Sequence, residues 1–146
     1  MNMKKAILTL IMCLMTGISA VAQSAGDKII GTYKAVQEGR ESKVKFSKYG
    51  DGYRGQIIWL KNNKNADGSI KTDVKNPDKA KRNVPADKIV IIDKVTYEDG
   101  IWQNGKIYDP TSGKTYKVEL RFSDAKTLEV KGKLGPFFKK VYWTKL

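Results

Sequence analysis

The chain predicts an all-β protein, a small antiparallel β-barrel of about eight strands, and three observations carry that expectation. Apolar and charged residues alternate with a period of two, turn residues recur at short intervals, and no segment sustains the 3.6-residue apolar spacing of a long helix. Closing such strands into a ring removes exposed sheet edges, and eight is the usual number for a small barrel that holds one ligand.

The folded part is expected to begin after an export signal. Lys4 and Lys5 precede an apolar run over 6–15 that only Thr9 interrupts, Thr16-Gly17 breaks it, and Ala20-Val21-Ala22 fits the small-x-small cleavage pattern. The run falls short of the roughly 18 apolar residues of a membrane span. Cys13 follows Ile11 and Met12, where a lipid-modified cysteine would need small residues. Cleavage after Ala22 makes 1–22 a signal peptide and 23–146 a single domain, periplasmic or secreted. A domain of that size buries roughly two-thirds of its unfolded surface and needs no disulfide.

Strand candidates lie in order at 29–36, 43–46, 53–60, 89–95, 101–108, 116–122, 128–131 and 137–144. The clearest is 116–122, where Tyr116, Val118, Leu120 and Phe122 alternate with Lys117, Glu119 and Arg121, giving one face to a core and one to water. Leu128-Glu129-Val130-Lys131 and Lys43-Val44-Lys45-Phe46 repeat the pattern. Tyr49-Gly50-Asp51-Gly52, Glu98-Asp99-Gly100, Asp109-Pro110-Thr111-Ser112-Gly113 and Ser123-Asp124-Ala125-Lys126 supply the turns. The polar stretch 61–87, with Asn76-Pro77-Asp78 and Pro85, is long for a connection and reads as a lid, a binding loop or an insertion.

Composition removes much chemistry. The chain has no histidine, and its one cysteine lies in the export signal, so zinc and histidine- or thiol-based catalysis are excluded from the domain. The net charge of +13 falls to +11 once Lys4 and Lys5 leave. Outside the cytoplasm the polyanions on offer are lipid headgroups, lipopolysaccharide and acidic glycans rather than nucleic acid. The lysines are dispersed, as on a solvated basic surface.

Candidate motifs reduce to turns. Asn63-x-Asn65-x-Asp67-Gly68 resembles the start of a calcium loop, but its twelfth position is Val74 instead of a bidentate Glu, and Lys64 and Lys71 add repulsion. Gly113-Lys114-Thr115 lacks the earlier glycine and the following helix of a phosphate loop. Ser123-x-x-Lys126 lacks the helix and companion motifs of a serine–lysine hydrolase. Asp73, Asp78 and Asp109 are the carboxylates with the sharpest context, and a paired-carboxylate hydrolase would need two acids facing each other inside the barrel; Asx-turn capping is the ordinary reading of each. No catalytic residue, metal or cofactor is expected.

The aromatics are more informative. Tyr33, Trp59, Trp102, Tyr108, Tyr116 and Trp143 fall on strand candidates and are expected to line a ligand cavity, with Asp109 beside them and the 61–87 loop at the mouth. Aromatic side chains that simply fill a small barrel are the competing reading.

Several of these pieces occur together. They are Gly31-x-Tyr33, Gly52-Tyr53-x-Gly55-x-Ile57-x-Trp59-Leu60, Asp73-x-Lys75-Asn76-Pro77-Asp78, and the long block Trp102-x-x-Gly105-x-Ile107-Tyr108-Asp109-Pro110-x-x-Gly113-Lys114-x-Tyr116. Leu128-x-Val130-x-Gly132 and Trp143-Thr144 complete the set. The chain resembles the bacterial exported domain-of-unknown-function 2147 family over nearly all of 23–146, and the resemblance implies a lipocalin-like barrel. It departs from the family's pattern at Arg82-Asn83-Val84-Pro85-Ala86-Asp87 and at Gly135-Pro136-Phe137-Phe138-Lys139-Lys140. The reading that results is an exported, monomeric protein that binds a small apolar or amphipathic molecule. The alternative is a basic surface module that holds anionic envelope polymers such as lipopolysaccharide or acidic glycans.

Overall fold

The computed structural model describes residues 25–146; the export signal lies outside the described residues. Eight strands succeed one another around a closed antiparallel barrel. They are β1 Gly31–Gln37, β2 Arg40–Tyr49, β3 Gly52–Leu60, β4 Val90–Glu98, β5 Ile101–Asp109, β6 Lys114–Phe122, β7 Thr127–Leu134 and β8 Phe137–Lys145. All eight expected strands are present, but β2 and β7 run longer than the alternation implies. In β2 the excess is Arg40 to Ser42, polar residues that the ladder to β1 carries into the sheet, and Ser47 to Tyr49, which pair with β3. In β7 it is Gly132 to Leu134, paired with Phe137 to Lys139.

Inward parity builds the core. Val44 and Phe46 of β2, Val118 and Leu120 of β6, and Leu128 and Val130 of β7 are buried, while their sequence neighbours are less so. The up-and-down order gives the barrel two unlike ends. At one end lie the β2–β3, β4–β5 and β6–β7 turns and a 3-10 turn at Asp27–Ile29 that enters β1. At the other lie the β1–β2, β5–β6 and β7–β8 turns and the connection from β3 to β4.

The first end is closed by aromatic packing. Tyr33 meets Phe46 edge-on with ring centroids 5.4 Å apart, and Trp102 meets Phe122 edge-on at 5.6 Å. Such pairs are favoured by the ring quadrupoles beyond simple burial. The polar tips of these rings fasten the 3-10 turn across the barrel bottom. Tyr33 donates its hydroxyl to the Ile29 carbonyl at 2.8 Å, and Trp102 donates Nε1–H to the Gly26 carbonyl at 3.1 Å. Tyr53 donates to Asp27 Oδ1 at 2.6 Å. That bond, with Lys48 nearby, holds the Asp27 carboxyl below its ordinary value.

The ring closes between β1 and β8 over a short seam, Tyr33↔Lys145 and Lys34↔Thr144. Leu146 N–H extends it by donating to the Thr32 carbonyl at 2.9 Å. Lys145 adds its ammonium, which donates to the Lys28 carbonyl at 2.7 Å.

Two outcomes are expected for stability. Trp102→Ala should lower unfolding free energy by about 3–5 kcal/mol in a urea melt, because it empties a fully buried site and orphans the Gly26 carbonyl. Asp27→Asn probes the plug. The folded-state carboxyl is depressed, so its contribution is complete above the unfolded value of about 4 and is lost as pH falls through the lower folded value. The melting-temperature gap between wild type and Asp27→Asn should be constant above about pH 5 and shrink in more acid solution; a gap that grows on acidification would contradict the assignment.

Candidate functional site

Above the aromatic floor the barrel is hollow. A cavity of about 1030 Å³ opens at the second end, at the upper limit of the roughly 300–1,000 Å³ usual for small-molecule sites. The hollow arises from side-chain size along each strand. Most of the large rings sit at the floor, and the inward positions nearer the mouth carry, besides Tyr116, Ala35, Ile57, Ile107, Val130, Gly132 and Val141. Small and aliphatic groups there do not reach across the ring. Of the inferred cavity residues, Tyr108, Asp109, Tyr116 and Trp143 do border this space.

Three do not, and each has a physical reason. Tyr33 and Trp102 point inward but at the closed end, where they are packed beneath the cavity as core. Trp59 is on the outside. The β2–β3 register pairs Val44 with Ile57 and Lys43 with Trp59, so Ile58 is an extra residue. A bulge of one residue reverses the parity of the strand beyond it. Trp59 therefore turns to solvent, where the Lys43 ammonium lies 4.9 Å from its ring centre, and Leu60 turns to the cavity. The aliphatic wall is absent from the expected site because none of its side chains is conspicuous in the sequence. Period-two parity counted toward the open end would have found Val130 and Val141.

The mouth is polar and carries more positive than negative charge. Arg40, Lys61, Lys71 and Lys139 border it, against Glu41 and Asp109. Glu41 pairs with Lys34 at 2.9 Å, and that hydrogen bond, aided by the Lys34, Lys61 and Lys43 charges, holds its carboxyl low. Arg40 pairs with Glu38 at 2.8 Å. Among the described residues Lys61, Lys71 and Lys139 make no ion pair.

The long connection after Leu60 flanks this mouth as a fixed wall. It folds on itself through bridges Lys64↔Ile70 and Thr72↔Pro85, with 3-10 turns at Lys79–Lys81 and Ala86–Lys88. Asp73 is its anchor. It is 2% exposed and accepts from the Tyr108 hydroxyl at 2.7 Å on one oxygen and from Asn76 Nδ2 at 2.8 Å on the other. Burial, then the Asp73 hydrogen bond and charge, push the Tyr108 phenol up. Lys75 Nζ adds a bond to the Thr111 carbonyl at 2.9 Å. Gly113 is obligatory at this junction: its φ is +73°, and a Cβ there would lie 2.3 Å from the Lys75 carbonyl oxygen. The two most distinctive blocks of the sequence, around Asp73 and around Tyr108 to Gly113, are therefore the two halves of one joint.

Asp109, Asp78 and Asp67 each hold a turn. Asp109 accepts from Thr111 N–H at 3.0 Å, Thr111 Oγ1 at 2.7 Å and Ser112 Oγ at 2.9 Å. Burial opposes its charge, but these bonds and Arg40 outweigh it and lower its pKa. Asp78 caps a 3-10 turn through Ala80 N–H at 3.0 Å. Asp67 accepts both Ser69 N–H and Ser69 Oγ, at 2.9 and 2.6 Å, within a hairpin. Ser123 donates to the Thr127 carbonyl at 3.3 Å in its turn.

A closed eight-strand antiparallel barrel with one packed end, one open end and an apolar hollow between them is lipocalin-like. The chain belongs to the domain-of-unknown-function 2147 family, described as uncharacterized protein conserved in bacteria, which matches residues 31–145. It is similar to a solved structure of a Helicobacter pylori protein described as belonging to the lipocalin family. The two share 26% identity with a TM-score of 0.67, over 81% of this chain and 82% of that one. No curated protein matches the chain.

The joint makes a prediction. Tyr108→Phe leaves a buried oxygen of Asp73 without its donor and should cost about 1–3 kcal/mol. Hydrogen exchange should accelerate at the Asp73 amide, which donates to Val84, before it does in the strands; unchanged protection there would disprove the anchoring role.

Proposed function

We propose that the protein is an exported carrier of a small amphipathic molecule, held with its apolar body in the barrel and its anionic head at the mouth. The observation that carries this reading is the 1030 Å³ hollow with aliphatic walls. A void of that size left empty forfeits packing contacts, which a ligand would restore. Lys61, Lys71 and Lys139 at the rim favour a carboxylate or phosphate head over a neutral one, since each ammonium would gain a partner it lacks. Export is supported by the charged start, apolar run and small-x-small site of residues 1–22, and Gln23 is the expected first residue of protein recovered outside the cytoplasm.

Titration with a dansylated long-chain carboxylate tests the site. Trp143 borders the cavity, so its emission should be quenched as dansyl emission rises, and Trp143→Phe should reduce that transfer, with Trp59 and Trp102 supplying the rest. Gly132→Leu fills the hollow without straining the chain, because a Cβ at Gly132 meets nothing closer than 3.7 Å. It should weaken binding about tenfold or more by displacing roughly 1.4 kcal/mol of apolar contact. Undiminished binding in Gly132→Leu, or preference for the matching alcohol over the carboxylate, would defeat the proposal.

A further inference from the structure

The β7–β8 hairpin ends in a segment whose apolar residues stand out on both faces of the sheet. Leu134 and Phe137 pair across the turn and are 58% and 76% exposed. Phe138, on the opposite face by parity, is 60% exposed. A hairpin tip that is apolar on both faces has no arrangement within the barrel that shields it from water, and large contiguous apolar exposure marks a contact surface. The turn itself suits entry into an apolar phase. Gly135 takes φ +57° at the first central position, the type II′ geometry, and Pro136 comes next with no N–H to desolvate.

Lysines ring the same tip. The Lys131 and Lys140 ammonium groups lie 4.4 and 5.8 Å from the Phe138 ring centre. Lys139 borders the mouth beside Phe137. The nearby acids are already paired: Glu129 with Lys140 at 3.4 Å and Glu119 with Lys133. Lys131 and Lys139 have no ion-pair partner among the described residues. Aromatic side chains that enter the headgroup region, flanked by cations that meet lipid phosphates, are the chemistry of an interfacial anchor.

We propose that the Leu134–Phe138 tip docks the open end of the barrel onto an anionic phospholipid bilayer. The rim residues Leu134, Phe137 and Phe138 also border the cavity, so docking sets the mouth against the lipid surface. The proposal rests on the tip and its charge, whether or not the cavity is filled.

The barrel segment 23–146, which contains the entire closed sheet, is mixed with vesicles containing phosphatidylglycerol and with vesicles of phosphatidylcholine alone. That segment contains no cysteine, so Pro136→Cys at the tip and Ala125→Cys at the closed end each take one environment-sensitive dye. Expected are a blue shift at 136 but not at 125, binding confined to the anionic vesicles and weakened by salt, and partition about 30-fold weaker in the Phe137→Ser/Phe138→Ser double variant. The proposal is overturned by an absence of vesicle binding, by equal binding to both vesicle types, by a shift at 125, by a shift at 136 on adding a soluble acidic glycan alone, or by self-association of the protein that the double serine variant abolishes.

Discussion

Closure of the sheet is the constraint on which the interior depends, and it is completed by the shortest ladder in the barrel. β1 and β8 pair at only two register positions, so the last residues of the chain carry much of the join. Lys145 is bonded through its backbone to Lys126 and through its ammonium to Lys28, and Leu146 reaches Thr32. The Lys145 ammonium also lies 5.9 and 5.8 Å from the Tyr33 and Phe122 ring centres. One side chain thus ties the final strand to the 3-10 turn and to the aromatic floor. Each hydrogen bond contributes about 0.5–1.5 kcal/mol; their position at the ring's join gives them more structural consequence than that figure suggests.

The two ends of the barrel divide the work by volume. Rings concentrated at the floor supply burial and hold the bottom shut, and this releases the upper strands from having to fill the middle. The hollow is therefore a product of where the bulk sits along each strand. The wall that flanks the mouth is fixed in a comparable way, since Asp73 is held by Tyr108 and Asn76 and Gly113 lets the β5–β6 turn approach the Lys75 carbonyl.

The strands are legible in the sequence because alternation is a local property and each barrel strand has one wet and one dry face. The division of those strands into floor and cavity is not legible, because alternation reports inside or outside and says nothing of height along the axis. Tyr33 and Trp102 are thus expected on the correct face and at the wrong end. Trp59 is expected on the wrong face because the bulge at Ile58 resets parity, and nothing in Gln56-Ile57-Ile58-Trp59 announces an extra residue. The Asp73–Tyr108 joint is visible only as two motifs far apart in the chain; their contact depends on the fold of a 29-residue connection between β3 and β4. The exposed Phe137 and Phe138 read simply as strand residues, since composition cannot tell an apolar face that is covered from one that is not.

The brevity of the β1–β8 seam bears on how copies of this chain behave in a crowded solution. Beyond Lys34↔Thr144 no register pairing joins the two strands among the described residues, so the ring is left partly unzipped toward its mouth. Such an opening is a template for another strand, the usual origin of strand exchange and fibre growth. A second copy docking through its own β8 would bring its Lys139 and Lys140 near the first pair. The excess of positive charge that pointed to anionic partners therefore also opposes that contact.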